Sequence, residues 1–148
     1  MVYTITAQIY QTNTNAFFHV VEKTIWGGGH SGTWSEIDGA HVLTIGGSGA
    51  SGCLRFRSDT DEFFIVALGI HEGRRWGDID TLLGAGDTGM VIHPQFYGDD
   101  PNLPMWLRVQ QRNSQLTRYY VTSPRNRTFS FIYTVPEGRN LKVAIIIG

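Results

Sequence analysis

The stretch Arg74-Arg75-Trp76-Gly77-Asp78-Ile79-Asp80-Thr81 gathers two guanidinium groups, an indole, two carboxylates and a hydroxyl into one segment between glycines. Sugars are held by carboxylates and amides that bond vicinal hydroxyls, and by apolar faces that pack on the C–H surface of a ring. Asp, Arg, Tyr and Trp are suited to both tasks, so the segment reads as a polar recognition surface. The plainer alternative makes Trp76 a core residue, leaves Arg74 and Arg75 solvated, and uses Asp78 only to cap a short helical turn over Ile79 to Leu83.

Other constellations are weaker. Gly47-Ser48-Gly49-Ala50-Ser51-Gly52 fits G-x-G-x-x-G, but a dinucleotide fingerprint runs into a helix, and Cys53 to Arg57 alternates like a strand. The segment also lacks the Lys-Ser/Thr ending of a phosphate-binding loop, so a glycine hairpin joining two strands is expected. Ser48 and the exposed backbone amides stay available to a ligand. Ser48, His71 and Asp78 make a triad on paper, without the G-x-S-x-G elbow that would present the nucleophile. Glu72, Asp78 and Asp80 could supply paired carboxylates for glycoside hydrolysis, although any two acids permit that reading.

The five histidines, His19, His30, His41, His71 and His93, form no i,i+4 pair or H-E-x-x-H, and Cys53 has no second thiol; no metal or other cofactor is expected. Asp59, Asp61 and Glu62 lack the spacing of a calcium loop and read as a solvated turn. Asn126-Arg127-Thr128 is a glycosylation sequon that reads as an exposed turn.

The elements that must position these groups are mainly strands. Tyr3, Ile5, Ala7 and Ile9 alternate with Thr4, Thr6 and Gln8, the period of a half-buried strand. QTNTN at Gln11 to Asn15 turns the chain, and Phe17 to Trp26 is rich in aromatic and β-branched residues. Gly27 to Gly32 is a glycine loop, after which His41 to Ile45 and Cys53 to Arg57 alternate again. Phe63 to Ile70 is almost wholly apolar, as a strand covered on both faces would be. Gly73 to Gly89 breaks the pattern and reads as irregular. Met105 to Asn113, after the loop GDDPNLP, predicts a helix. Leu116 to Val121, Thr128 to Val135 and Leu141 to Ile147 return to strands. Eight to ten strands at close spacing, with two short helical pieces, predict an all-β protein of two antiparallel sheets packed face to face.

Composition supports that class. The chain has 148 residues, close to the size of one domain, with 41% hydrophobic and 17% charged residues, so it can bury a core. Twelve Lys and Arg against thirteen Asp and Glu give a formal net charge of -1, and no basic run is present to draw phosphate backbones or anionic lipid; nucleic acid is not an expected partner. No apolar run is long enough to span a bilayer. MVYTITAQIY has no basic region leading an apolar one, so the expectation is a cytoplasmic product. Eighteen glycines fit a protein of tight turns.

Longer spaced motifs then bring a family into view. They are TIT-x-x-x-YQTN from Thr4, AFF-x-x-VEKT-x-W at Ala16 to Trp26, GTW at Gly32 to Trp34, and VLT-x-GGSG-x-SG-x-LRF at Val42 to Phe56. RW-x-DI at Arg75 to Ile79, QLT-x-Y at Gln115 to Tyr119 and EG-x-NLK at Glu137 to Lys142 complete the series. In this order, over nearly the whole chain, the sequence resembles the fungal fruit-body lectins, mushroom lectins with an actinoporin-like β-sandwich. The resemblance implies two antiparallel sheets joined by a short helix-loop-helix segment, a homotetramer, and glycans of glycoproteins or glycolipids as partners, with no membrane insertion.

The family carries two sugar sites per subunit. For the N-acetylglucosamine site the resemblance implies Asp78, Ile79, Thr81, Arg108 and Tyr119. Asp78 and Arg108 would bond ring hydroxyls, the backbone near Ile79 and the Thr81 hydroxyl would fix the acetamido group, and Tyr119 would pack on the sugar. For the galactose-type site, which takes the T-antigen disaccharide Galβ1-3GalNAc, it implies Gly29, Ser48, Gly49 and the residues from His71 and Glu72 onward. There the family's H-N-Y-K-R-W reads His71-Glu72-Gly73-Arg74-Arg75-Trp76, and the loop at Trp26 to Ser31 lacks the family's K-Y-A-N residues. An amide both donates and accepts whereas an ionised carboxylate only accepts, so T-antigen binding is expected to be altered or lost. The loop from Pro101 to Trp106 also looks longer than its family counterpart.

The resemblance implies a non-enzymatic lectin with a defensive role. An actinoporin-like pore former shares the sandwich but needs a detachable N-terminal amphipathic helix, where this chain starts with a strand. A glycosidase acting on the same sugars is the third class.

Overall fold

The structure is a computed structural model that describes residues 1–98, 101–103 and 105–148. The residues Asp99, Asp100 and Pro104 of the GDDPNLP loop lie outside the described residues, and with Pro104 so does part of the segment whose length was compared with the family.

In chain order the strands are β1 (Tyr3–Gln11), β2 (Phe18–Trp26), β3 (Gly32–Ile37), β4 (Ala40–Ile45), β5 (Ser51–Ser58), β6 (Phe63–His71) and β7 (Arg74–Asp80). A helical segment follows: α1 (Gly89–Ile92), a 3-10 turn (His93–Tyr97) and α2 (Trp106–Ser114). Then come β8 (Arg118–Thr122), β9 (Thr128–Val135) and β10 (Asn140–Ile147). One sheet has the order β3-β4-β1-β10-β9-β8 and the other β2-β5-β6-β7, so the helical segment carries the chain from the last strand of the smaller sheet to the edge of the larger. The pairing is antiparallel apart from β1 with β10, which is parallel, with Ile5 beside Leu141 and Ile9 beside Ile145.

The inner faces follow from alternation. Tyr3, Ile5 and Ala7 of β1 and Leu141, Val143, Ile145 and Ile147 of β10 point into one core with Leu54, Phe56, Phe64, Val66, Leu68 and Ile79 of the opposing sheet. Phe56, Phe64 and Phe129 are in ring contact there, with centroids 4.4 and 4.2 Å apart. The other face of the smaller sheet is also buried: Cys53, Ile65, Ala67 and Trp76 pack beneath Ile92 and Phe96 of the helical segment. Strand β6 is thus covered on both sides, which is why its sequence is apolar throughout.

Three expectations need correction. The stretch after Gly73 is not irregular, and Asp78 caps no helix: Arg74 to Asp80 is a full edge strand paired with β6. Its alternation is hidden because the core covers one face and the helices the other, leaving residues 75 to 79 all buried. The glycine segment Gly47 to Gly52 is not a hairpin, because β4 and β5 lie in different sheets: residues 46–50 cross between them and Ser51 and Gly52 already belong to β5. The turn at Asp59 to Glu62 is not simply solvated, since Glu62 is buried and takes a two-point ion pair from Arg127, at 2.8 and 2.9 Å. Strand β3, half polar, and the 89–97 helical turns carry too little periodicity to be read in advance.

The helical layer is fastened by a buried polar chain. His93 bridges Thr24 Oγ1 (2.7 Å) and Ser51 Oγ (2.8 Å), and Ser51 meets the Tyr97 hydroxyl at 2.6 Å. Trp26 stacks on Tyr97 at 4.7 Å. Helix α2 buries Val109, and Arg112 both donates to the Phe96 carbonyl and lies over the Tyr97 ring.

Candidate functional site

Strand β7 and helix α2 together frame a cleft of about 580 Å³. On β7 the residues pointing outward from the core are Trp76, Asp78 and Asp80, two apart and therefore on one face. Trp76 is fully buried. Asp78 and Asp80 open into the cleft, which Arg108 and Leu107 of α2, Thr81 and Leu82 beyond β7, and Tyr119 of β8 also line. The strand can approach the opposite sheet because Gly77 has no side chain: a Cβ there would sit 2.6 Å from the Phe131 ring. The buried Tyr133 hydroxyl also donates to the Trp76 carbonyl at 2.8 Å.

The five residues Asp78, Ile79, Thr81, Arg108 and Tyr119 are thus brought to one cleft, although they come from β7, the position just beyond it, α2 and β8. Ile79 joins the main core through its side chain, so only its backbone is offered to a ligand. Arg75, which the plain reading left solvated, is buried and donates to the Gln115 carbonyl at 2.9 Å, while Arg74 is exposed.

The electrostatics are unbalanced. Arg108 Nε lies 3.4 Å from Asp80 Oδ2, close enough for an ion pair, but the two are not aligned for a hydrogen bond and both atoms are buried without such a partner. Burial, then the neighbouring Asp80 carboxylate, push Asp78 well above the ordinary carboxylate range, against the Ile79 N–H and Arg108. Burial raises Asp80 too, opposed by Arg108. Burial and the two carboxylates together raise Tyr119. Two acids therefore share one guanidinium in a partly desolvated cleft.

Asp80, Gln111, Ser114 and Leu107 also line the cleft. Asp80 was legible only as one of several acids, because its side-by-side relation to Asp78 depends on the segment being a strand. Across Thr81, Leu82 and Leu83, a second cleft of about 430 Å³ continues toward Ser123 and Arg125.

The other predicted group gathers at the opposite end of β7. The β6–β7 connection is a two-residue turn, Glu72 at φ +49° and Gly73 at +76°, the conformation of a type I′ hairpin. Ser48 Oγ accepts the Gly73 N–H at 3.0 Å, and the Gly49 N–H donates to the Ile70 carbonyl at 2.8 Å. The glycine loop closes on the same place, since a side chain at Gly28 would meet the Gly49 carbonyl at 2.8 Å. Its neighbour Gly29 is exposed at φ +90°. The Gln115 amide at the end of α2 donates to the His71 carbonyl. His71 lies 3.9 Å from the Glu72 carboxylate, but burial and Arg112 lower its ring below the ordinary histidine range against the pull of Glu72. No hydrogen bond links Ser48, His71 and Asp78, so no triad is assembled.

A two-sheet sandwich with a polar, partly aromatic cleft beneath a helical cover has the form of a small-ligand binding module. The Fungal fruit body lectin family model matches residues 1–145, and the chain is 45% identical over 149 residues to the Boletus edulis lectin, all of both chains being covered. This chain belongs to the fungal fruit body lectin family, whose members are carbohydrate-binding proteins. Its fold superposes on the crystal structure of the wild-type Xerocomus chrysenteron lectin with a TM-score of 0.92 at 44% identity, covering 100% of each chain. A methionine-substituted form of the same lectin gives 0.93 at 44% identity, over 100% of this chain and 99% of that one.

Proposed function

We propose that this protein is a non-enzymatic, multivalent lectin that takes N-acetylglucosamine-terminated glycans in the β7–α2 cleft and carries a second, altered site of the Galβ1-3GalNAc type at the β6–β7 turn. The observation that carries the reading is the convergence of Asp78, the Ile79 backbone, Thr81, Arg108 and Tyr119 on one cleft. Asp78 accepts from ring hydroxyls and Arg108 donates to them, so neighbouring hydroxyls are read by opposite hydrogen-bonding partners. The Ile79 backbone and the Thr81 hydroxyl take the acetamido group, and the Tyr119 ring covers the apolar face of the sugar. The adjoining cleft gives a longer glycan room to continue past Leu82.

At the second site Glu72 replaces an amide with an acceptor-only group, so a hydroxyl that must receive a hydrogen bond goes unserved. A single small sugar is held at roughly millimolar strength, about 4 kcal/mol, so useful binding rests on several copies engaging one glycan surface, as a homotetramer would. Such linked contacts raise avidity by about a hundredfold or more. A cytoplasmic defence protein directed at organisms that feed on its source fits this design.

Calorimetric titration with N-acetylglucosamine and with Galβ1-3GalNAc tests the reading, with light scattering on the same sample reporting assembly. Wild type is expected to bind N-acetylglucosamine, Asp78→Ala to lose at least about tenfold in affinity, and the disaccharide to bind weakly or not at all. Strong disaccharide binding abolished by Ser48→Ala would show that the Glu72 turn is competent. Hydrolysis of a chromogenic chitobioside, lost in Asp78→Ala, would replace the lectin with a glycosidase.

A further inference from the structure

Two adjoining clefts share a wall on this side of the sandwich. Thr81, Leu82 and Leu83, just beyond β7, line both the β7–α2 cleft and the cleft of about 430 Å³ that reaches Ser123, Pro124 and Arg125 of the β8–β9 turn. A sugar chain whose end is seated against Asp78 is blocked toward Trp76, where the helix is fastened to the strand. There Gln111 donates to the Gly77 carbonyl at 3.4 Å and Arg75 to the Gln115 carbonyl at 2.9 Å. Toward Thr81 the strand ends and the two clefts meet. At that junction Leu82 is 80% exposed, an apolar side chain standing between two polar hollows.

The second cleft is equipped to donate hydrogen bonds. Its acids are already engaged, Asp61 by Arg57 at 2.6 Å and both Glu62 oxygens by Arg127. Arg125 is fixed through Nη1, which donates to the Thr60 carbonyl at 2.9 Å and stands 3.8 Å from Glu62, while its side chain stays 56% exposed. The rest of its five donors are therefore open to a ligand. Ser123 Oγ accepts the Arg127 N–H at 3.3 Å and keeps its own O–H to give. Leu83, Pro124 and the buried Phe129 add apolar surface to the same cleft. Donors beside apolar walls suit a sugar ring, whose faces are C–H and whose edge carries oxygens.

We infer that the second cleft is a further sugar subsite, so that the protein reads a β1-4-linked run of three N-acetylglucosamine units and not a terminal unit alone. The inference rests on the N-acetylglucosamine reading of the β7–α2 cleft. The terminal unit sits against Asp78 and Arg108, the second lays its C–H face on Leu82, and the third offers its acetamido carbonyl to Arg125 and Ser123. Covering Leu82 takes apolar area out of water, and a hydrogen bond from a charged donor is roughly twice as strong as a neutral one. A β1-4 linkage joins equatorial positions and keeps the chain an extended ribbon, apolar on its faces and polar along its edges. Such a ribbon passes over Leu82 and still meets the donors beyond it.

The test is calorimetry on the full chain with N-acetylglucosamine and its β1-4-linked dimer and trimer. Three equivalent units in one molecule raise affinity by about threefold through number alone. Engagement of Leu82 and Arg125 is expected to make the trimer at least about tenfold tighter than the monosaccharide. In Leu82→Ser, at a position too exposed to matter for packing, the trimer-to-monosaccharide ratio should fall toward the value set by number, and Arg125→Ala should lower the trimer-to-dimer ratio. A trimer gain of about threefold or less, or ratios unchanged in both variants, overturns the inference and leaves the N-acetylglucosamine reading standing. Failure of all three sugars to bind a protein shown to be folded by its melting transition overturns both. The length series on wild type needs no variant, so a misfolded Arg125→Ala does not spoil it.

Discussion

Glu72 stands at φ +49° beside Gly73 at +76°, in a turn that asks for asparagine followed by glycine. A glutamate in the left-handed region costs about 1 kcal/mol that asparagine largely avoids, because the short amide bonds its own backbone there. Glu72→Asn is therefore expected to raise the melting temperature by about 2–4 °C and to restore a donor beside Ser48. A melt and a titration with Galβ1-3GalNAc check both halves. An unchanged melting point would mean that the turn is not strained by its glutamate. A stabilised protein that still ignores the disaccharide would move the proposed loss of binding from the turn to the glycine loop around Gly29.

Among the elements, the helical layer is held by chemistry that acid attacks. His93 is buried between Thr24 and Ser51, and burial lowers its pKa from 6.5 to about 4. Unfolded, it takes up a proton below about 6.5; folded, it resists until about 4. The unfolded state binds more protons in that window, so stability falls as pH drops through it and levels off below. The loss amounts to about 3 kcal/mol at most. Urea unfolding at intervals from about pH 7 to about pH 4 should show it. His93→Gln, which keeps hydrogen-bonding capacity without the titration, should give a flatter profile, and parallel slopes for the two proteins would remove His93 from the account. Since α2 brings Arg108 to the cleft and Gln115 to the β6–β7 turn, loosening this layer disturbs both sites.

For the whole molecule, the two sheets are tied at one end by arginines of the β8–β9 turn, Arg125 reaching the Thr60 carbonyl at 2.9 Å and Arg127 making the larger set of contacts. The Arg127 guanidinium donates to both Glu62 oxygens, to Asn15 and to the Gly148 carbonyl, joining the β5–β6 turn of one sheet to the β10 end of the other. Arg127 lowers the Glu62 carboxyl below its ordinary value. Breaking a buried pair by removing one partner leaves the other charge stranded, so Arg127→Ala is expected to cost about 3–5 kcal/mol. Chemical denaturation measures this directly, and a loss under about 1 kcal/mol would mean that the pair behaves as a surface contact. Because Arg127 lines neither the β7–α2 cleft nor the β6–β7 turn, a folded Arg127→Ala protein should keep the N-acetylglucosamine binding proposed for that cleft unchanged.

Much of this molecule is written in short-range pattern. The period-two runs of β1, β9 and β10, the two-sided burial of β6 and the α2 helix follow from which residues are apolar and at what spacing, because burial on one face or two leaves its mark on each strand separately. The residues proposed for the two sites stand in the sequence as types in order, which is how the resemblance picks them out. What the chain alone could not decide was the state of Arg74 to Asp80, whose two faces are covered by different layers, so that a buried edge strand carries no alternation. That placement turns Asp78 and Asp80 into neighbours over one cleft, brings Arg108 and Tyr119 across from other elements, and leaves two acids with one cation. Charge balance inside a cleft depends on distances between segments remote in sequence, and only tertiary packing sets them.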